Sequence, residues 1–236
     1  MILQSFLAAL GQLGDPRFRR VLGLGVVITI LLLILATTGL VWFVGWIVGD
    51  STSLPWIGEI TWFDDILSWG SVLLMLGLST FLMVPVASAI TSMFLDEVAQ
   101  AVEDRHYPHM PKADAVSFYD GLVDSVNFLG VIVVANVLAL FVYLLLPFST
   151  ILLFWALNGF LLGREYFTLA AMRRVGRARA KELRREHGGT IWLAGFLMAM
   201  PLTIPIVNLL IPILGAATFT HLFHRLTAAA ALDRTS

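Results

Sequence analysis

VNFLGVIVVANVLALFVYLLLPFSTILLFWALNGFLLG, from Val126 to Gly163, runs for 38 residues without an Asp, Glu, Lys or Arg. As one helix it would be roughly 57 Å long at 1.5 Å per residue, against about 30 Å for the hydrocarbon core of a bilayer. It is too long for one crossing and short for two crossings with a turn. Pro147 lies near its middle, where it removes a backbone donor and stops a helix. The economical reading is a helical hairpin that enters and leaves on the same side.

Three other stretches are equally free of charge: Val21–Gly49, Ile66–Leu95 and Thr190–His224. The first two each suit one span with length to spare for tilt, and Pro85 is expected to kink the second. The last contains Pro201, Pro205 and Pro212 and reads as a second hairpin that penetrates only part way. The expected fold class is an all-α integral membrane protein. It has two long transmembrane helices, two partially penetrating helical hairpins, and cytoplasmic helical extensions. A single membrane domain covers 1–226, with an interfacial helix at 1–14 and long helices at 16–49 and 66–105. A hairpin at 126–163, a basic cytoplasmic helix at 164–187 and a hairpin at 190–224 follow, and 227–236 is a flexible tail.

Composition agrees with lipid as the solvent. Of 236 residues 58% are hydrophobic and only 13% charged, half the charge that a soluble domain carries. The absence of cysteine excludes disulfide frameworks, cysteine zinc sites and thiol nucleophiles. The apolar run after Arg20 is too long for the roughly 7–15-residue core of a cleaved signal peptide.

Basic residues give the sidedness. Arg17, Arg19 and Arg20 precede the first span, Arg105 and Lys112 follow the second, eight lie between Arg164 and Arg185, and Arg225 and Arg234 close the chain. The loop Asp50–Asp65 has none. If both hairpins return to their side of entry, all 15 basic residues face the cytoplasm together with both termini. Trp56, Trp62 and Trp69 suit an aromatic belt around the outer loop.

Gly14-Asp15-Pro16-Arg17-Phe18-Arg19-Arg20 is the sharpest local feature. Asp15 suits an N-cap and Pro16 a first helical residue. Free amides and guanidinium forks there would suit an oxyanion; equally, the arginines could only anchor the span at the headgroups, and Asp15 would compete for the same donors. Arg164-Glu165, with Asn158 nearby and Asn208 in the last hairpin, could line a pathway; the charged pair could instead simply mark a helix boundary. The basic segment 164–189 suits contact with anionic lipid or attraction of a ligand. The pairs His106/His109 and His221/His224, with Asp96, Glu97, Glu103 or Asp104, would bind metal only if they met in space. No metal, other cofactor or nucleic-acid partner is expected. No HExxH, GxSxG or Walker-type loop is present, so an enzyme is not expected either. Proline-broken backbone within a membrane must be buried in protein or line a water-filled cavity, which points to a homo-oligomer, a conduction pathway, or both.

Several segments resemble the CysZ family of bacterial sulfate transporters. They are Pro16–Arg20, Asn158–Phe167 (NGFLLGREYF), Thr203–Asn208 and Gly215-Ala216-Ala217. The resemblance implies a permease in the bacterial inner membrane that supplies sulfate for cysteine biosynthesis without an ATPase. It also implies that sulfate is held at Arg19 and Arg20 beside Phe18, with Arg17 standing where the family has glycine. Sulfate or a related oxyanion, membrane lipids and further copies of the chain are the partners it implies. A membrane-shaping or assembly protein, acting through its hairpins and basic helix on lipid, is the alternative.

Overall fold

The computed structural model describes residues 1–48, 94–113 and 116–233. The expected second span at 66–95, with Pro85 and the acidic loop Asp50–Asp65, lies outside the described residues but for Phe94 and Leu95; the side chain of Asn208 also lies outside them. All regular structure described is helical: α1 (Ile2–Gly11), α2 (Pro16–Val48), α3 (94–106), α4 (Phe118–Leu145), α5 (Thr150–Glu186), α6 (Gly188–Ala199) and α7 (Pro205–Asp233). Two units make up the chain, one of Met1–Gly23 with Ser88–Ser236 and one of Leu24–Ala87. In the second unit the described part of α2 exposes Val27, Ile30, Leu31, Ile34, Leu35 and Trp42.

Proline places the breaks. Pro147 opens a short 3₁₀ turn, Pro147–Ser149, between α4 and α5, and Pro201 lies in another, Met200–Thr203, between α6 and α7. Pro205 is the first residue of α7, a position where its missing N–H costs nothing. Helix α5 passes through Gly163-Arg164 without a break and changes direction instead at Gly176, whose φ of 71° and ψ of 170° are non-helical. Only glycine takes that conformation cheaply. Helix α7 continues to Asp233, through most of the stretch read as tail, because Ala228–Ala231 is a run of the strongest helix former.

Among the described residues, the segment Tyr119–Leu145 within α4 is the one helix long and apolar enough to cross a membrane. Its side chains, Val133, Val134, Leu140, Phe141 and Leu144 among them, are exposed rather than packed, the opposite of an apolar helix in a soluble core.

Helices α5 and α6 pack backbone to backbone. A Cβ at Gly159 would come within 2.5 Å of the Phe196 backbone, one at Gly163 within 2.6 Å of the Ile191 carbonyl, and one at Gly195 would collide with the Gly159 carbonyl. Small residues four apart permit such an approach, the device by which helices associate where water supplies no driving force. The core then gathers around α7. Phe219 and Leu222 are fully buried with Phe18 from α2, Val98 and Val102 from α3 and Phe167 from α5. Tyr166 stacks on Phe219 with ring centroids 6.1 Å apart. This core fixes the entry of α2 beside α3, and α3 against α5 and α7.

Candidate functional site

The turn into α2 is built by side chains that substitute for missing helical bonds. The Asp15 carboxylate accepts the Arg17 N–H at 2.9 Å, and the Asp15 carbonyl accepts the Arg19 N–H at 3.1 Å, so Asp15 caps the helix. Gln12, wholly buried, donates to the Ala101 carbonyl of α3 at 3.0 Å and to Asp15 at 3.1 Å. The four residues read as an anion site are thereby separated into different fates. Phe18 is 1% exposed and belongs to the core. Arg17 donates to Asp104 at 2.6 Å, and that bond holds the Asp104 carboxyl below its ordinary range. Arg19 and Arg20 are exposed, and neither forms an ion pair among the described residues. The Phe18 N–H is the remaining first-turn amide, with no partner among them. Two guanidinium groups and one amide are what this turn offers an anion.

Beyond Asp104 on α3 lies an interior charge cluster. Glu103 is 2% exposed and accepts two bonds from Arg174, from Nε at 2.9 Å and from a terminal nitrogen at 2.7 Å. Arg173 approaches the same carboxylate at 3.3 Å and His224 Nε2 lies 3.0 Å from it. Arg173 also donates to Gln100 at 2.9 Å and pairs with Asp96 at 3.0 Å. Burial works against the charged form of Glu103, but the bonds from His224 and Arg174, with Arg173 beside them, prevail and hold its pKa at about 2. Asp96, where burial outweighs the attraction of Arg173, is raised. The cluster ties α3, α5 and α7 into one body and leaves neither arginine free for a ligand.

The histidine pairs are drawn in only partly. His106 and His221 rings lie 4.8 Å apart, Tyr107 bonds His221 Nδ1 at 3.0 Å, and His224 belongs to Glu103. No group of three or more His, Asp or Glu side chains that could hold a metal occurs among the described residues. Arg164 and Glu165 do not pair, since adjacent residues point to different sides of a helix. Arg164 lies over the Phe128 ring at 5.8 Å. Glu165 has no hydrogen-bond or ionic partner among the described residues, and burial pushes its pKa up to about 7. Asn158 donates back to the Phe154 carbonyl of its own helix at 2.8 Å.

The family model described as Sulfate transporter CysZ/Etoposide-induced protein 2.4 matches residues 5–212. The chain belongs to that family. The matched span takes in the arginine turn, the charge cluster up to Arg174, the glycine-packed helix pair and the start of α7. A comparison with individual curated proteins gives no match. CysZ-family membership supports a sulfate-transport role in general and a place in the membrane rather than catalysis, and the apolar α4 agrees with the membrane location.

Sequence reasoning passed over Arg173, Arg174, Gln100 and the pairing of Glu103 and Asp96 with them. A signal was present: Asp96, Gln100 and Glu103 recur at intervals of four and three, one face of a helix, opposite a basic segment with Arg173-Arg174.

Proposed function

We propose that this CysZ-family chain is a permease for sulfate or a closely related oxyanion in the bacterial inner membrane, channel-like or ion-coupled and without an ATPase. In this reading two long helices span the bilayer, 126–163 and 190–224 form the hairpins, and both termini face the cytoplasm. The proline turns at Pro147 and Met200–Thr203 are covered by further copies of the chain.

One observation carries the substrate reading. Of the arginines at the start of α2 and in the neighbouring cluster, Arg17, Arg173 and Arg174 are neutralised by carboxylates, whereas Arg19 and Arg20 have no ionic partner among the described residues. Two exposed, unpaired guanidinium forks beside a helix N-terminus suit a tetrahedral dianion, which accepts several charge-assisted hydrogen bonds. Phe18, locked in the core, sets the direction from which both arginines project. The Asp104 partner of Arg17 cancels the charge added at the position where the resemblance expects glycine.

Uptake of labelled sulfate into proteoliposomes tests the proposal. Uptake above that of empty vesicles is expected, with loss of most of it on R19A/R20A. Absence of uptake, or uptake indifferent to the double substitution, overturns it.

A further inference from the structure

We infer that a basic cleft between α4, α5 and the start of α6 is a second anion site, built for the phosphate group of a membrane lipid or for a free tetrahedral oxyanion. The cleft encloses about 990 Å³, the upper end of the range for ligand pockets. Arg164, Arg177, Lys181, Arg184 and Arg185 line it. Helix α5 contributes all five because Gly176 redirects the chain after Ala171–Val175, so that residues beyond the bend share a wall with Arg164 before it.

The charges are held together without neutralisation. Asp120 and Asp124 on the first turns of α4 line the opposite wall, yet none of the five basic groups forms an ion pair among the described residues. Arg184 instead donates to the Thr168 hydroxyl at 2.6 Å. Its guanidinium is drawn below its ordinary pKa by burial and by Arg164 nearby, against the opposing pull of Asp124. Like charges placed this closely favour a bound anion.

A second source of positive potential lies at the same place. Helix α6 begins at Gly188, which lines the cleft, and no side chain caps it. Its first internal helical bond is from Ile191 N–H to the His187 carbonyl, leaving the amides of Gly188, Gly189 and Thr190 for a ligand. The rim is apolar, with Phe160, Val131 and the half-exposed Trp192. Among the described residues, the facing helix α4 is the one long and apolar enough to cross a membrane. A basic floor beneath an apolar rim beside a membrane helix matches a phospholipid, headgroup in the cleft and chains along α4.

The full chain, purified in a neutral detergent, is titrated with short-chain phosphatidylglycerol and separately with inorganic phosphate and sulfate. Binding is followed by calorimetry and by the rise in Tm. Saturable binding is expected, weakened about tenfold by R177Q/K181Q. The control R105Q/R179Q removes the same charge away from the cleft and should shift affinity less than about twofold. Displacement of the lipid by millimolar phosphate or sulfate assigns the cleft to free oxyanions; indifference to them assigns it to lipid phosphate. No saturable binding of lipid or free anion, or equal weakening by both double substitutions, overturns the inference. R19A/R20A leaves this binding intact, so a failed sulfate-uptake experiment with retained lipid binding counts against the permease reading alone.

Discussion

The turn into α2 and the cluster around Glu103 use the same materials, arginine and carboxylate, to opposite ends. At Glu103 two guanidinium groups and an imidazole converge on one buried carboxylate, and every strong charge is matched. At the turn, Asp104 takes Arg17 alone, and among the described residues Arg19 and Arg20 are left over. The difference teaches that arginine density says little about ligand binding. What matters is how many arginines remain after the local acids have been assigned. By that count the cluster is a fastening, and the turn is where two arginines stay uncommitted among the described residues.

The largest effect expected from breaking this contrast is at Glu103. E103Q leaves Arg173 and Arg174, whose side chains are both almost completely buried, facing a neutral amide. Removing one partner of a buried ion pair costs about 3–5 kcal/mol, and unfolding of the detergent-solubilised protein should show it. A loss below about 1 kcal/mol would mean that water reaches the cluster. The pH dependence has a definite sign. With its pKa lowered from 4.5 to about 2, Glu103 contributes stability that is fully present above about pH 4.5. That contribution falls away as the pH drops toward 2. The variant should lack this component of acid sensitivity.

Glu165 sharpens the contrast from the other side, being a carboxyl that burial isolates instead of pairing. Its pKa, raised from 4.5 to about 7, reverses the sign. The folded chain binds a proton there that the unfolded chain has released, so stability declines as pH rises from about 4.5 to about 7 and stays reduced above it. E165Q should therefore stabilise the protein at pH 8, by up to about 3 kcal/mol, and leave it unchanged at pH 4. Parallel unfolding curves of the two proteins at both pH values measure this. An equal effect at the two values would show that Glu165 is not titrating.

How much of this was legible in the sequence depends on the range over which the cause acts. The all-helical class was plain in the charge-free lengths and in 13% charged residues, because solvent and helix geometry act on every residue alike. The start of α2 was legible at Asp15-Pro16 for a local reason, since capping needs only neighbours. The bend at Gly176 was not, for Arg173–Glu186 is otherwise rich in helix formers and one glycine does not announce a break. Pairings were hidden most deeply. Glu103 meets Arg174 across 71 positions, and nothing in Arg173-Arg174 distinguishes them from the half-buried Arg177 or the exposed Arg185. The close helix contact at Gly159 and Gly163 was not read from the sequence, because nothing in their spacing names Gly195 as the residue opposite.

The smallest expected effect tests the rule that assignment of acids decides which arginines bind. Arg17 and Asp104 are both substantially exposed, with 49% and 40% of their side-chain surface in solvent, and an exposed pair contributes about 0–1 kcal/mol. D104N should therefore leave unfolding almost unchanged. Its consequence for the anion should be larger than its consequence for the fold, because Arg17 then becomes a third free guanidinium within one helical turn of Arg19 and Arg20. Sulfate affinity, measured by calorimetry on purified protein, should rise about two- to fivefold at low salt, with the gain shrinking as ionic strength increases. R17A should lower affinity little, since Asp104 already cancels that charge. If D104N and R17A alter sulfate affinity equally, Arg17 is a ligand in its own right and the division between assigned and leftover arginines fails at the turn.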